Sequence, residues 1–268
     1  MAEIRQIVDI TGNVRRLGSL APDPGKLKAL LRAAGQAEEW TDEQIRRVLL
    51  DPDRVAARSI FDDEWICNQL SFGSCNGWAT AEAIARGTYR RGFKDCPKRL
   101  SGSYVYAWIN GNQDNGSGLS DGQQAAELHG APPADLVPAN LIYRRQMPAG
   151  ADAAAAKHKG FLLVPLPTLR ALRTALAKQD PCIVAVHAGG NFQRLNSDGI
   201  AGVDNGMGNH AVCVDDSKII AGKEVFDMAN SWGLGYGTKG RAYLTESHFR
   251  QTMNVHGFWT LRSTVETA

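Results

Sequence analysis

The sequence is poor in several features that would assign it directly to a class of protein. It has 5 cysteines among 268 residues, and because none of them forms a CxxC pair, neither a disulfide framework nor a zinc site is indicated. Its net charge is only +2, which gives no basic field of the kind that nucleic-acid binding requires. No run of apolar residues approaches the length that spans a membrane. We therefore expect no metal, no cofactor, no nucleic-acid partner and no membrane insertion.

The N-terminus also lacks the apolar core of a secretory signal, because Glu3, Arg5 and Asp9 interrupt its apolar positions. We expect the chain to be cytoplasmic as synthesised. What is present is an ordinary globular composition, with 43% hydrophobic and 22% charged residues. Such a chain can bury one large core or two modest ones, and nothing in it indicates disorder.

One stretch, Gln69-Leu-Ser-Phe-Gly-Ser-Cys75-Asn-Gly-Trp78, offers a thiol where a loop is predicted to turn into a helix. A helix that begins at Cys75 points unpaired N–H groups and its positive dipole end at the sulfur, which favours the nucleophilic thiolate. Gln69 precedes the thiol across a bend at Gly73. Its side-chain amide and the Cys75 N–H are therefore placed to hold a developing oxyanion.

A cysteine nucleophile needs a base and a group that orients the base. His210 starts an apolar run typical of a buried strand, and Asn230 follows a second predicted strand. His187, with Asn191 after it, is the rival base. We expect the remaining histidines to be structural or solvated: His129, His158, His248 and His256.

The other cysteines have simpler interpretations. Cys182 and Cys213 lie inside apolar runs, where cysteine behaves as a small buried hydrophobe. Cys67 is close to Cys75 in sequence, so a regulatory pairing of the two thiols is a secondary hypothesis.

In order and spacing, these motifs resemble the papain-like cysteine peptidases. The residues that carry the resemblance are Gln69, Gly73-Ser74-Cys75, His210-Ala211 and Asn230-Ser231-Trp232-Gly233, continued as Leu234-Gly235-Tyr236-Gly237 with Gly240 and Tyr243 beyond. The resemblance covers roughly residues 58–262 and indicates a divergent member of bacterial or phage origin. Two positions depart from the family pattern: Asn76-Gly77 precedes Trp78, where the family usually has Trp directly after the nucleophile, and Phe72 replaces a cysteine that often forms a disulfide.

The resemblance implies an α+β fold of two lobes, a helical lobe with a central nucleophile helix and a lobe built on an antiparallel barrel-like sheet. The catalytic domain is then 58–268, with the helical lobe over about 58–150 and the sheet lobe over about 160–262. Residues 1–57 form an N-terminal extension with short helices. It is a structural extension, an attachment module that binds an assembly partner, or a regulatory segment, and we favour the first two.

Local patterns predict the main elements of this fold. Thr41-Asp-Glu-Gln44 has the spacing of a capping box for a helix that Asp51-Pro52 stops, and Ser120 is the expected cap of a later helix. Strands are predicted around Ile4–Ile10 and in the sheet lobe. The predicted helices are Lys26–Ala34, Cys75–Arg91, Leu100–Trp108, Asp121–His129 and Thr168–Lys178, and the predicted sheet-lobe strands are Pro181–Val186, His210–Val214, Glu224–Phe226 and Gly240–Leu244.

The resemblance also implies the chemistry, which is thiol-dependent hydrolysis of peptide bonds in a peptide or protein substrate, most simply as an endopeptidase. Cys75 attacks the carbonyl, His210 is the acid and base, Asn230 orients His210, and Gln69 completes the oxyanion hole. Cys75 thiolate and His210 imidazolium are expected to form an ion pair. Substrate contacts fall on Gly116 or Gly118, which would pair with the substrate backbone, on Ala211, which would line the main side-chain pocket, and on Trp232, which would cover the His210–Asn230 hydrogen bond.

Two other classes of function remain open at this point. The altered Asn76-Gly77 and the unusual N-terminus are compatible with a peptidase-like structural or interaction protein of little turnover, such as a component of a phage particle, which would make it virion-associated. The third class is a related thiol amidase or acyltransferase that acts on cell-wall peptides.

Overall fold

The structure is a computed structural model, and it describes residues 5–21, 37–56, 62–159 and 161–263. The predicted helix Lys26–Ala34 lies outside these ranges. The predicted strand Ile4–Ile10 is shorter, as β1 (Arg5–Val8), and forms a hairpin with β2 (Val14–Leu17). The next strand, β3 (Ser19–Leu20), pairs in parallel with a distant short strand.

The second part of the N-terminal extension is helical and packs on the sheet lobe. Helix α1 (Asp42–Leu49) begins with the predicted capping box at Thr41. The prediction that Asp51-Pro52 simply stops the helix is incomplete, because Pro52 starts a second helix, α2 (Pro52–Ala56). Proline suits the first helical position, where no N–H is required. Arg54 on this helix is buried and donates to the carboxylate of Asp216 at 2.8 Å, so α2 is fixed to the body of the protein.

The central helix of the helical lobe is α3 (Cys75–Arg90), and almost all of it is buried. It crosses α4 (Gly102–Ile109) at close range. A Cβ atom on Gly77 would lie 2.2 Å from the carbonyl oxygen of Gly102, and a Cβ on Gly102 would lie 2.4 Å from Trp78. The close crossing therefore requires glycine on both helices.

The rest of the helical lobe contains β4 (Ser117–Gly118), α5 (Leu119–His129) and α6 (Ala151–Ala155), with 3-10 turns at Asp63–Trp65, Arg144–Gln146 and Ala156–His158. The predicted cap at Ser120 is wrong. The helix begins at Leu119, because the carboxylate of Asp121 reaches back to the N–H of Gly118 at 3.2 Å and Gly118 takes the N-cap position.

The sheet lobe contains a six-stranded antiparallel sheet among the described residues, in the order β5-β10-β6-β7-β8-β9. Its strands are β5 (Phe161–Leu166), β6 (Cys182–Val186), β7 (His210–Ile220), β8 (Lys223–Ala229), β9 (Arg241–Leu244) and β10 (Phe258–Ser263). Helix α7 (Leu169–Ala177) is capped by Thr168 and packs on this sheet. Strand β10 is preceded by a 3-10 turn at Glu246–His248 and by helix α8 (Met253–His256). The strands β5 and β10 were not predicted from the sequence.

Ion pairs buried between the lobes hold α3 against the sheet. The guanidinium of Arg86 on α3 pairs with the carboxylate of Asp215 on β7, and Arg241 on β9 pairs with the same carboxylate at 2.7 Å. Asp215 and Arg86 are almost fully buried, and the nearby guanidinium groups hold the pKa of Asp215 below its usual range despite burial. Within the described ranges, no helix is long and apolar enough to cross a membrane.

Candidate active site

Cys75 lies at the first position of α3, between the two lobes, and is fully buried. The backbone N–H groups of Ala211, Gly18 and Asn76 face its sulfur and stabilise the thiolate. Burial is the larger effect, however, and it raises the pKa of the Cys75 thiol. Ala211 follows His210 directly, so the start of β7 is brought against the nucleophile.

His210 and Asn230 are joined by a buried hydrogen bond. Nε2 of His210 lies 2.9 Å from Oδ1 of Asn230, and both side chains are inaccessible to solvent. Strands β7 and β8 are antiparallel and pair Cys213 with Ala229. This register places His210, at the start of β7, and Asn230, just after β8, at the same end of the two strands. Burial lowers the pKa of His210 to about 4, although the hydrogen bond with Asn230 acts in the opposite direction.

Burial of both side chains opposes the expected ion pair between Cys75 and His210. Burial disfavours charge on both groups, raising the pKa of Cys75 and lowering that of His210, so the neutral thiol and the neutral imidazole are stable near neutral pH. The expectation from the sequence considered only the attraction between the two charges and not the loss of solvent around them.

Aromatic rings cover His210. The ring of Trp232 lies 4.7 Å from the His210 ring, and Phe192 contacts both of them edge-on, at 6.3 Å from His210 and 5.9 Å from Trp232. Tyr236 stacks on Phe192 and donates its hydroxyl to the Phe192 carbonyl at 3.0 Å. Phe192 was not predicted as a site residue, since it lies in a loop that no motif marks.

Gln69 is held by Ser231 of the Asn230-Ser231-Trp232 run. The backbone N–H of Gln69 donates to the Ser231 carbonyl at 2.7 Å, and Oε1 of Gln69 accepts from the Ser231 hydroxyl, also at 2.7 Å. These contacts turn Nε2 of Gln69 toward the carbonyls of Phe72, at 2.7 Å, and Arg16, at 3.3 Å. The side-chain amide thus donates to a carbonyl of the N-terminal segment.

Residues 14–20, here called the cleft segment, lie between the two lobes across the nucleophile. The N–H of Ser19 donates to the carbonyl of Asn209 at 3.0 Å, and the carbonyl of Gly18 accepts from the N–H of Ser117 at 2.8 Å. The strand β3 then pairs with β4, Ser19 with Ser117 and Leu20 with Gly118. The segment therefore fills a backbone-binding groove that joins the lobes.

Three glycines meet where the cleft segment passes the nucleophile loop: Gly18 of the segment, Gly73 and Gly116. A Cβ on Gly18 would lie 2.0 Å from the carbonyl oxygen of Gly73, and a Cβ on Gly116 would lie 2.1 Å from the carbonyl oxygen of Gly18. Gly116 also has a φ of +77°, which side-chain-bearing residues rarely adopt. The backbone of Gly18 thus passes between Gly73 and Gly116, at the entrance to Cys75.

Two arginines anchor the cleft segment. Arg15 is buried and pairs with Asp9 at 2.8 Å. Its guanidinium also donates to the side chain of Asn68 at 2.8 Å. Two backbone carbonyls accept further hydrogen bonds from it, those of Leu70 at 3.1 Å and Trp232 at 2.9 Å. Arg16 is more exposed and pairs with Asp114 at 2.9 Å.

The residues predicted to bind substrate all lie on this cleft, in different positions. Gly118 pairs with Leu20 of the segment, and Gly116 packs against Gly18. Ala211 is buried beside Cys75, and Trp232 lies over His210. The family departure at Asn76 has a structural role here, because its buried amide donates to the Gly118 carbonyl at 2.6 Å and to the Ser117 hydroxyl at 3.1 Å, fixing β4.

The other histidines lie elsewhere. His187 follows Val186, the strand partner of His210, and lines a cavity of about 460 Å³ together with His256. Nε2 of His256 lies 2.7 Å from the Met207 carbonyl, and His248 caps a turn at Thr245. His129 stacks on Trp108, and His158 ends a 3-10 turn.

The comparisons with known proteins agree with this architecture. Residues 141–256 match the model of the papain family of cysteine proteases. The structure is similar to xylellain, a cysteine protease from Xylella fastidiosa, with a TM-score of 0.65 and 18% identity over 99% of this chain and 100% of that one.

Two plant proteases have the same fold. The bromelain protease from Ananas comosus, in complex with the E64 inhibitor, matches with a TM-score of 0.58 and 22% identity over 75% of this chain and 93% of that one. The Amb a 11 cysteine protease of ragweed pollen, in its proform, matches with a TM-score of 0.62 and 19% identity over 93% of this chain and 77% of that one. The predicted α+β papain-like fold is thus confirmed.

Proposed function

We propose that this chain, a divergent member of the papain-like cysteine peptidases, hydrolyses peptide bonds with Cys75 as nucleophile and His210 as acid and base. The observation that carries the proposal is the buried His210–Asn230 hydrogen bond beside a thiol at a helix N-terminus. Asn230 binds Nε2 of His210, which leaves Nδ1 as the nitrogen that exchanges a proton with Cys75. Among the described residues, Nδ1 has no hydrogen-bond partner.

The reaction then follows from these positions. The Cys75 proton moves to His210, and the thiolate attacks the carbonyl carbon while the C=O π bond becomes an oxyanion held by Gln69 Nε2 and the Cys75 N–H. Collapse of this intermediate breaks the C–N bond, and His210 gives its proton to the leaving amine. His210 next takes a proton from water, which attacks the thioester, and returns it to the departing Cys75 sulfur.

The roles of the supporting side chains follow from the same geometry. Asn230 fixes the tautomer and orientation of His210, since its Oδ1 accepts a hydrogen bond only from a protonated Nε2. Trp232 and Phe192 exclude water from that hydrogen bond and thereby strengthen it. Ser231 acts on Gln69 and not on the reacting atoms, which makes it a positioning residue.

We further propose that residues 14–20 regulate the site by occupying it. The hydrogen bonds to Asn209 and from Ser117 use the backbone groups that an extended substrate would need. Gly18 lies at the entrance to Cys75, where a scissile bond would have to lie. These contacts support a regulatory role for this part of the N-terminal extension over the structural and attachment roles that the sequence favours.

The test of the catalytic proposal is selective labelling combined with peptide cleavage. A peptidyl electrophile directed at thiols should modify Cys75 and no other cysteine, as mapped by mass spectrometry of the labelled chain. Cys75→Ala should remove both labelling and cleavage of a peptide panel while the melting temperature stays within a few degrees. Cys67→Ala, which changes another buried cysteine, is the matched control and should retain both.

Cleavage that survives in Cys75→Ala would overturn the assignment of the nucleophile. Labelling without cleavage of any peptide, in a chain whose cleft segment has been loosened, would instead favour the structural or interaction protein. Transfer of the acyl group to an added amine in preference to water would favour the acyltransferase.

A further inference from the structure

The side chain of Asn76 joins the first turn of α3 to the short strand β4. Its Nδ2 donates to the carbonyl of Gly118 at 2.6 Å and to the hydroxyl of Ser117 at 3.1 Å. Its Oδ1 lies 3.5 Å from the hydroxyl of Thr80, one turn further along α3. The side chains of Asn76, Ser117 and Thr80 are all buried. Because an amide nitrogen of this kind carries two hydrogens, both of its N–H groups are directed at β4.

Strand β4 has one side toward the cleft and one toward Asn76. The N–H of Ser117 points into the cleft, where it donates to the carbonyl of Gly18 at 2.8 Å. Both backbone groups of Gly118 are engaged within the protein, since its N–H donates to the carboxylate of Asp121 at 3.2 Å and its carbonyl accepts from Asn76. Ser117, which lies between the two glycines predicted to bind substrate, is therefore the residue whose backbone faces a peptide in the cleft.

Helix α5 leaves room for the Asn76 amide. A Cβ atom on Gly122 would lie 2.7 Å from both Nδ2 and Oδ1 of Asn76, closer than side-chain carbons approach other atoms. Glycine is unfavourable inside a helix, and this contact gives the reason for one at position 122. The amide is thus held between α3, β4 and α5.

Asn76 also contacts the nucleophile, because its backbone N–H faces the sulfur of Cys75. One residue therefore touches the sulfur through its backbone and holds the strand that faces the cleft through its side chain. The hydrogen bonds of Asn76 set the position of β4 relative to Cys75. That position matters for a reaction, since a misplacement of about 1 Å can lower a rate by ~10²-fold.

We propose that Asn76 is a positioning residue, which holds β4 where a peptide paired with Ser117 presents its carbonyl carbon to the Cys75 sulfur. This inference rests on the proposed peptidase function and identifies a residue that aligns extended substrates. The departure from the family pattern at position 76 then has a functional consequence, because the advantage of an extended peptide over a short one depends on this amide.

The test uses the full chain with Arg15→Ala, which loosens the cleft segment, and adds Asn76→Ala in that background. Two reporter peptides contain the same scissile bond, chosen as one that the chain cleaves in the peptide panel. The short reporter is a blocked dipeptide, and the extended reporter has three further residues on each side, so that it covers β4 whichever way it runs.

In the chain with Asn76, kcat/KM for the extended reporter should exceed that for the short one by at least ~10-fold, from two backbone hydrogen bonds of ordinary strength. In Asn76→Ala this ratio should fall below ~3-fold, less than one such bond contributes at its upper limit. The loss should be mainly in kcat, because the peptide still pairs with Ser117 but its carbonyl carbon is no longer aligned with the sulfur.

Thr80→Val is the matched control, because it removes the hydroxyl beside Oδ1 of Asn76 and leaves both hydrogen bonds to β4. It should not change the ratio of the two reporters. Ser117→Ala removes one of the two acceptors on β4 and should lower the ratio by a smaller factor than Asn76→Ala. If Asn76→Ala fails to fold, as judged by its melting temperature, the comparison of Ser117→Ala with Thr80→Val decides the question.

The outcomes separate this inference from the proposed function. An extended-to-short ratio that survives Asn76→Ala, or losses of equal size on both reporters, overturns the inference and leaves the peptidase intact. A ratio of about one in the chain with Asn76 overturns it as well. Failure to cleave any peptide of the panel overturns the proposed function and the inference with it.

Discussion

The hydroxyl of Ser231 donates a 2.7 Å hydrogen bond to Oε1 of Gln69, and both residues are buried. A side-chain amide has two nearly equivalent orientations, and this bond favours the one in which Nε2 points into the cleft. Two successive residues therefore hold the two side chains, since Asn230 forms a hydrogen bond with His210 and Ser231 forms one with Gln69.

Ser231→Ala should lower kcat by roughly 3- to 10-fold, the effect expected for one neutral hydrogen bond of about 1 kcal/mol. Gln69→Ala should cost more, about 10²- to 10³-fold, because it removes an oxyanion donor. If Ser231 acts only through Gln69, the kcat of the variant that carries both Ser231→Ala and Gln69→Ala should be no lower than that of Gln69→Ala alone. If the losses of kcat in the two single variants instead multiply in the double variant, Ser231 has a separate role. Thr at position 231, which keeps the hydroxyl, should restore most of the activity.

The identity of the base gives a second prediction. His210→Ala should abolish cleavage, whereas Asn230→Ala should retain a measurable fraction, because it loosens the imidazole without removing it. His187→Ala is the matched control, as it changes a histidine at the end of the neighbouring strand, and it should leave kcat largely unchanged. Steady-state kinetics on one reporter peptide compares the three. Inactivation by His187→Ala with activity retained in His210→Ala would move the base to His187.

The cleft segment gives a third prediction, which concerns access to Cys75. Arg15→Ala removes one buried ion pair and three further hydrogen bonds of the segment, so the segment should open more often. We expect alkylation of Cys75 by a small neutral reagent to accelerate at least ~10-fold. Gly18→Ala should act in the same direction, because its Cβ would lie 2.0 Å from the Gly73 carbonyl oxygen.

Arg47→Ala, which changes an exposed arginine on α1, should not alter the alkylation rate and serves as the control. An unchanged rate in both Arg15→Ala and Gly18→Ala would mean that the segment does not limit access to the thiol, and the regulatory proposal would fail.

Much of the arrangement of the candidate site is predictable because its signals are local. A thiol before an apolar helix, a histidine at the start of a buried strand and an asparagine after the next strand are each defined by a few neighbouring residues. The pairing of β7 with β8 then brings His210 and Asn230 together, as antiparallel strands joined by a short turn must do.

The remaining elements could not be predicted because their causes are not local. Strand β5 contains Pro165, which argues against a strand unless the strand lies at a sheet edge, and that is where β5 lies. Strands β3 and β4 have two residues each and no periodicity, and their pairing joins Ser19 to Ser117 across the chain. The sequence therefore indicates a cleft but not that residues 14–20 occupy it.

The last prediction concerns the response of the site to acid, and it follows from the burial of His210. Burial lowers the pKa of His210 to about 4, and the nearby charge of Arg15 acts in the same direction. An exposed imidazole has a pKa of about 6.5. At a pH between about 4 and about 6.5, a form of the protein that exposes His210 therefore binds a proton, whereas the closed form, in which His210 is buried, does not. The form that exposes His210 is therefore favoured as the pH falls from about 6.5 to about 4, by roughly 3 kcal/mol in full.

His256 faces the same segment, since its Nδ1 lies 3.5 Å from the Ser19 hydroxyl, and burial lowers its pKa too. Protonation of His210 or of His256 thus opposes the state in which these side chains are buried and the cleft segment occupies the site. We expect alkylation of Cys75 in the full chain to accelerate as the pH falls below 6.5, which is the reverse of an ordinary thiol. The opened site would contain the thiolate–imidazolium pair that burial suppresses. His210→Ala should remove most of this acceleration and His256→Ala a smaller part. A rate that rises only with alkaline pH, in the chain with or without His210, would show that acid does not open the site.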